Sequence, residues 1–95
     1  MDNKVIEKSE IFKIVSDPTR LRILEVLFSS KKDMCVSEIS EIIGMSQSAT
    51  SHQLAKLEDK GIVECFRHGQ MMCYLIKESK ISSFLKKIIC ELDEK

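Results

Sequence analysis

The sequence predicts an α+β domain that is mainly helical and carries one β-hairpin. Apolar residues recur at helical spacing in five separate stretches. Two short apolar stretches within residues 62–76 flank His68-Gly69, a pair that suits a tight hairpin turn. One proline and three glycines among 95 residues indicate few loops. Together these observations favour helices over strands in most of the chain outside residues 62–76.

Length, charge and cysteine content narrow the class of protein. Ninety-five residues predict one domain, 1–95, with a modest core, and dimerisation commonly compensates for a small core. The formal net charge of zero argues against a protein that coats nucleic acid without specificity. We find no signal peptide and no apolar run of membrane-spanning length, so we expect a soluble, cytoplasmic protein. In that compartment four cysteines are expected to be thiols.

The first two predicted helices meet at a sharp boundary. An apolar stripe predicts a helix over 3–15, which stops at Ser16. Asp17 is then a suitable N-cap and Pro18 a suitable first residue for a second helix over about 18–28. Arg20 and Arg22 are expected on its exposed side, as solvated charges rather than phosphate contacts.

A helix-turn-helix is predicted over about 36–60. The third helix covers about 36–43 and is predicted to end at Gly44, a residue that readily adopts a left-handed conformation. Its predicted inward residues are Val36, Ile39, Ile42 and Ile43. After a turn containing Met45, the fourth helix starts at the N-cap Ser46. This order places the fourth helix where a recognition helix lies.

The fourth helix, over about 46–57, has two different faces. Thr50, Leu54 and Leu57 fall on the side that can be buried. The opposite side presents Gln47, Ser48, Ser51 and His52, which are uncharged hydrogen-bonding residues. Such a face suits base edges in the DNA major groove. The alternative is an ordinary polar helix start that happens to lack charge.

The remaining elements predict a wing and a last helix. Strands at 62–67 and 71–76, joined by His68-Gly69, would pair Cys65 with Met72. The predicted inward face of this hairpin is Val63, Cys65, Met72, Tyr74 and Ile76, which leaves Cys73 exposed. A clean amphipathic stripe predicts a helix over about 79–93. The order α-α-α-α-β-β-α, with a wing at about 62–76, is a winged helix-turn-helix, and we expect its first and last helices to form a homodimer.

Three motifs resemble the ArsR/SmtB family of small, dimeric winged-helix repressors. They are Asp17-Pro18-Thr19-Arg20-Leu21-Arg22-Ile23-Leu24, Gly44-Met45-Ser46-Gln47-Ser48-Ala49-Thr50-Ser51-His52-Gln53-Leu54, and Lys60-Gly61-Ile62-Val63 with the hairpin to Tyr74. The resemblance covers about residues 9–76. It implies a transcriptional repressor that binds a double-stranded DNA operator as a homodimer and is released by an inducer that the sequence does not name. The DNA-contacting positions that it implies are Gln47, Ser48, Thr50, Ser51, His52, Arg67, His68 and Gln70.

The family's metal-sensing residues are largely missing. Metal sensors of the family often carry Cys-x-Cys at the start of the third helix, whereas here Cys35 is followed by Ser37 and Ser40. Serine is a poor substitute for a thiolate toward soft metals. Other members bind metal on the last helix, where the matching positions are Glu78, Lys80, Glu91 and Glu94, without histidine. We therefore predict no cofactor, and keep zinc or another thiophilic metal at Cys35 as an open alternative.

Other functions remain as alternatives to a DNA-binding regulator. Cys35 and Cys90 could sense oxidants or persulfides, or could be structural. A winged helix can also serve as a protein-interaction module, although the Gln/Ser/His face counts against that. No nucleophile–base pair, phosphate loop or paired carboxylates can be identified, so we predict that the chain is not an enzyme.

Overall fold

The computed structural model describes residues 1–92. The helices are α1 (Asn3–Val15), α2 (Pro18–Ser29), α3 (Val36–Ile43), α4 (Gln47–Asp59) and α5 (Lys80–Leu92), and the strands are β1 (Met34–Cys35), β2 (Val63–His68) and β3 (Met71–Ile76). The winged helix-turn-helix and its five predicted helices are confirmed. The predicted end of the last helix at residue 93 lies outside the described residues. None of the helices in the described range is long and apolar enough to cross a membrane.

Side-chain caps define where the helices begin. The Asp17 carboxylate accepts the backbone N–H of Arg20 at 3.0 Å, and Pro18 occupies the first turn of α2. The Ser46 hydroxyl accepts the N–H of Ala49 at 3.1 Å and so starts α4. Between them, Gly44 ends α3 in the left-handed conformation, with φ of 73°. Gly44 and the Ser46 cap fix the turn that orients the recognition helix against α3.

The core lies between α2, the helix-turn-helix, the hairpin and α5. Its buried members are Ile23, Leu24, Leu27, Ile39, Leu54, Leu57, Ile62, Val63, Tyr74, Leu85 and Ile89. α1 contributes no buried residue and packs only partly buried side chains against this core. The prediction that Ile42 faces inward is wrong, because half of its surface is exposed at the outer side of α3.

The sheet has three strands in the order β1-β3-β2, all antiparallel. β1 was absent from the prediction. The hairpin turn also differs, since His68 pairs with Met71 and the two-residue loop is Gly69-Gln70. Gly69 has φ of 64°, and Gln70 has no positive φ, as in a hairpin turn with glycine at its first central position. The predicted pairing of Cys65 with Met72 is therefore wrong, and Cys65 pairs with Tyr74.

The corrected register preserves which residues share a face of the hairpin. Each partner shifts by two positions, and side chains alternate with a period of two, so Cys65 and Cys73 still lie on opposite faces. The burial of two hairpin residues, in contrast, differs from the prediction. Met72 is exposed rather than inward, because it lies toward the hairpin tip, beyond the core. Cys73 is 3% exposed rather than solvated, because β1 pairs alongside it.

Candidate nucleic-acid interface

The predicted recognition face is intact at the start of α4. Gln47, Ser48, Ser51 and His52 are all exposed. On the opposite side of the helix, Leu54 and Leu57 are completely buried in the core. The helix is therefore anchored by its apolar side, and it presents short donors and acceptors to the outside. A surface of this chemistry can pair with the edges of bases.

Thr50 does not belong to this surface. Its side chain is fully buried, and its hydroxyl donates a hydrogen bond to the carbonyl oxygen of Ser46 at 2.8 Å. This bond occupies the hydroxyl within the first turns of the helix. The expectation of a DNA contact at Thr50 is therefore corrected, and we leave this residue out of the interface.

A groove joins the recognition helix to the wing. It is lined by Cys35, Val36, Ser37, Gln47, Ser51, Gln70, Met71 and Met72. The fold thus brings Gln70, at the hairpin tip, to the same groove as Gln47 and Ser51. These three polar residues therefore line one groove, together with the apolar side chains of Val36, Met71 and Met72.

The other two wing residues lie on opposite faces of the hairpin. Arg67 pairs with Met72 and is exposed, while His68 shares its face with Cys73. The Nε2 atom of His68 lies 2.7 Å from the Asp33 carboxylate, and 61% of its side chain is exposed. Arg67 is therefore a solvent-facing cation, whereas His68 already has a partner within the chain.

The interpretation of Arg20 as a solvated charge is wrong. Its Nε donates to the carbonyl of Ile14 at 2.9 Å, and its Nη1 donates to the side-chain oxygen of Gln53 at 3.2 Å. The guanidinium has five donors in a fixed planar arrangement, so it can join several helices at once. Arg22 behaves as predicted, as an exposed residue in a 3.5 Å ion pair with Glu25.

A pair of thiols lies beside the groove. The Sγ atoms of Cys35 and Cys73 are 3.0 Å apart, because these residues are direct partners in the β1–β3 pairing. The hydrogen bond with Cys73, together with burial, raises the pKa of Cys35 to about 12. Sequence reasoning missed this pair, since the two residues are 38 positions apart and a two-residue strand has no detectable periodicity.

The remaining cysteines are separate from this pair. Cys90 is exposed on α5. Cys65 is partly buried and packs against the core beside Tyr74, whose pKa is raised by burial and by the Cys65 thiol. Among the last-helix metal positions, Glu78, Lys80 and Glu91 are exposed, and Glu94 lies outside the described residues.

A helix-turn-helix with an uncharged polar recognition face and an adjoining wing defines the winged-helix class of DNA-binding regulators. The family model for bacterial regulatory proteins of the arsR family matches residues 17–64, about half of the chain. The chain therefore belongs to the ArsR family. The match spans α2, the helix-turn-helix and the first residues of the wing, and it supports the expectation of a regulatory protein.

Individual relatives agree with this assignment. The cadmium resistance regulator CadC of Listeria innocua is 37% identical over 78 residues, which are 82% of this chain and 65% of CadC. This chain thus spans slightly less than two thirds of the length of CadC. The regulator YgaV of Escherichia coli is 33% identical over 87 residues, covering 88% of this chain and 87% of YgaV. The crystal structure of the antimony-specific transcriptional repressor AntR matches with a TM-score of 0.83 and 30% identity, covering 99% of this chain and 84% of AntR.

Proposed function

We propose that the chain binds a specific DNA operator as a homodimer and represses transcription there. The observation that carries this proposal is the exposed face of Gln47, Ser48, Ser51 and His52, which meets Gln70 of the wing around one groove. A face of this kind is too poor in charge to bind DNA tightly through phosphates alone. The uncharged polar face is instead suited to hydrogen bonds with base edges.

The chemistry of the face fits the major groove. A glutamine can make two hydrogen bonds to adenine, and serine can bond to several base edges. The N-terminus of α4 favours a nearby phosphate, because its free N–H groups and dipole attract negative charge. Arg67 would add a phosphate or minor-groove contact from the wing. In a dimer, the two α4 helices would enter major grooves about 34 Å apart.

The first and last helices support a dimer. α1 has no fully buried residue, and α1 and α5 expose the apolar residues Val5, Ile6, Phe12, Ile81, Phe84 and Leu92. The rings of Phe12 and Phe84 pack edge to face with centroids 6.4 Å apart, so the two helices form one apolar surface. A contiguous patch of this kind marks an interaction site, and we infer that a second copy of the chain covers it.

The names of two relatives support release by an effector. CadC is named for cadmium resistance, and AntR is an antimony-specific repressor. We infer that this chain is likewise released from DNA by an effector, with Cys35 and Cys90 as candidate thiols. We infer a cytoplasmic location, because the proposed function requires access to chromosomal DNA.

The recognition face is tested with a double variant, Ser51→Ala with His52→Ala. An operator is first selected from random duplex DNA with the wild-type protein, and affinities are then compared by fluorescence anisotropy. Each lost base contact is worth about 1–3 kcal/mol, so we expect at least about a tenfold loss of affinity. Glu58→Gln, on an exposed residue in the last turn of the same helix, should bind within about threefold of wild type. Unchanged binding by the double variant, with an intact fold, would exclude α4 as the recognition helix.

A further inference from the structure

We propose that Cys35, Cys73, His68 and Asp33 form a binding site for a thiophilic divalent cation of the Zn²⁺ or Cd²⁺ class, between the wing and the helix-turn-helix. Ligand atoms of Asp33, His68 and Cys73 all lie within 4.8 Å of one another. The Cys35 Sγ lies 3.0 Å from the Cys73 Sγ, which makes it the candidate for the fourth donor. These four residues are called the wing-base cluster below.

The donor set of the wing-base cluster suits a four-coordinate borderline-soft cation. Two thiolates, an imidazole and a carboxylate are all recognised zinc ligands, and zinc sites in proteins are usually tetrahedral. From bond lengths of about 2.3 Å to sulfur and 2.0 Å to nitrogen or oxygen, tetrahedral ligands lie about 3.3–3.8 Å apart. The 3.0 Å between the thiols and the 2.7 Å between His68 and Asp33 are slightly shorter. The cation would be admitted by side-chain movements that open these two pairs and bring the Cys35 Sγ toward His68 and Asp33.

Backbone pairing holds the cluster together. The β1–β3 register sets Cys35 directly opposite Cys73. In β2, His68 lies on the same hairpin face as Cys73, and Asp33 immediately precedes β1. In addition, the Glu38 carboxylate accepts the backbone N–H of Cys35 at 2.9 Å and fixes the start of α3. The cluster is thus built on strands rather than on a long loop.

Burial gives the cluster a closed base and an open mouth. Cys73 is 3% exposed, whereas the side chains of Asp33 and His68 are 26% and 61% exposed. A cation could enter from the solvent side between His68 and Asp33 and reach the thiols below. A low-dielectric base strengthens the attraction between a cation and its thiolates.

The wing-base cluster differs from both metal patterns considered from the sequence. It uses Cys35, but it does not need a thiol at Ser37 or Ser40, and it takes no ligand from α5. A disulfide between Cys35 and Cys73 is a competing use of the same sulfur atoms. That alternative would leave the convergence of His68 and Asp33 on Cys73 unexplained.

A cation at this position would affect DNA binding, a consequence that rests on the proposed function. His68 is one of the wing residues considered for DNA contact, and its side chain is 61% exposed, with Nε2 lying 2.7 Å from the Asp33 carboxylate. Ligation would fix the imidazole against Asp33 and Cys73 and withdraw it from DNA. We therefore expect the cation to lower operator affinity by at least about fivefold, the lower end of typical coupling between two sites.

Metal binding is tested first without DNA. The reduced protein is titrated with Co²⁺, whose ligand-field bands report tetrahedral geometry, and with Cd²⁺, whose ultraviolet charge-transfer band reports thiolate ligation. We expect one cation per chain and a band intensity that requires two thiolates. Cys35→Ala, Cys73→Ala and His68→Ala should each weaken binding by about a hundredfold or more. Cys65→Ala is the matched control, since Cys65 lies on the opposite face of the same hairpin, and it should bind as wild type.

The metal titrations are accompanied by measurements of folding and of free thiols, so that a loss of metal binding can be assigned to one cause. Circular dichroism shows which variants are folded, and His68→Ala changes an exposed side chain that is expected to leave the fold intact. If folded Cys73→Ala or His68→Ala bound Co²⁺ with wild-type affinity, the proposed metal site would be wrong. A loss of two titratable thiols without bound metal would show a disulfide instead. The Ser51→Ala, His52→Ala double variant should still bind Co²⁺, so failure of DNA recognition and failure of the metal site remain distinguishable.

Discussion

Arg20 donates a hydrogen bond from its Nη1 to the side-chain oxygen of Gln53 at 3.2 Å, and this contact ties α2 to the recognition helix. The same guanidinium reaches back to the carbonyl oxygen of Ile14 in α1 at 2.9 Å. One side chain therefore links three helices. Because Gln53 lies beside the exposed face of α4, Arg20 helps to set the orientation of that face without belonging to it.

Replacing Arg20 with alanine should destabilise the fold. Hydrogen bonds to charged groups contribute about 1.5–3 kcal/mol, so we expect the free energy of unfolding to fall by about that amount. Urea denaturation monitored by circular dichroism measures it. Arg22→Ala removes the same charge from an exposed ion pair and should change stability by less than about 1 kcal/mol. Equal effects of the two substitutions would contradict a structural role for Arg20.

Arg67→Ala should weaken DNA binding without changing sequence preference. Arg67 is an exposed cation near the hairpin tip, so we expect it to contact phosphate or the minor groove. Losing one phosphate contact reduces the slope of log affinity against log salt by about one. Anisotropy titrations at several salt concentrations, with specific and scrambled duplexes, give this slope. Arg22→Ala again serves as the charge-matched control, and an unaltered slope for Arg67→Ala would remove Arg67 from the interface.

Much of the fold could be predicted because its signals are local. Caps such as Asp17 and Ser46, and the left-handed Gly44, lie within a few residues of the helix ends that they define. The polar face of α4 was likewise visible from spacing alone. Thr50 shows what spacing cannot predict. Helical spacing places its side chain on the buried side of α4, but it does not identify the hydrogen-bond partner of its hydroxyl.

The features that escaped prediction depend on distant partners. Strand β1 exists only because Met34 pairs with Tyr74 and Cys35 pairs with Cys73. That pairing buries Cys73, and no local sequence pattern predicts this burial. The predicted hairpin register differs from the observed one because Gly69 can serve at either turn position, and only the pairing of His68 with Met71 decides between them. Arg20 likewise donates a hydrogen bond to Gln53, which lies 33 positions away in the sequence.

A charge in the apolar surface of α1 and α5 should dissociate the dimer. Phe84 is 48% exposed and packs against Phe12, so Phe84→Glu would place a carboxylate at the centre of the proposed interface. Burying an unpaired charge is very costly, and the variant is expected to separate as a monomer in analytical ultracentrifugation. Phe66→Glu is the control, because Phe66 is similarly exposed, at 42%, but lies on the wing. A dimeric Phe84→Glu protein would place the interface elsewhere.

The contact between α1 and the end of α4 should depend on pH. The Lys60 ammonium donates to the Glu10 carboxylate at 2.8 Å and lowers the pKa of Glu10 below its usual value of 4.5. Its contribution to stability is therefore present above pH 4.5 and is lost as pH falls through the lowered pKa. The difference in unfolding midpoint between wild type and Lys60→Gln should be visible at neutral pH and disappear in acid. Lys8→Gln is the charge control, and a difference that stays constant across this range would exclude the ion pair as its source.

Thr50→Val separates the structural role of this residue from DNA recognition. Valine keeps the buried volume but removes the hydroxyl that donates to the Ser46 carbonyl at 2.8 Å. Losing one such hydrogen bond should lower the free energy of unfolding by about 0.5–1.5 kcal/mol. Because the side chain is fully buried, operator affinity should stay within about threefold of wild type at temperatures where both proteins are folded. Thr50→Ser, which keeps the hydroxyl and loses the buried methyl group, should also bind normally. A loss of affinity in Thr50→Val alone would return the hydroxyl to the DNA interface, against its position in the structure.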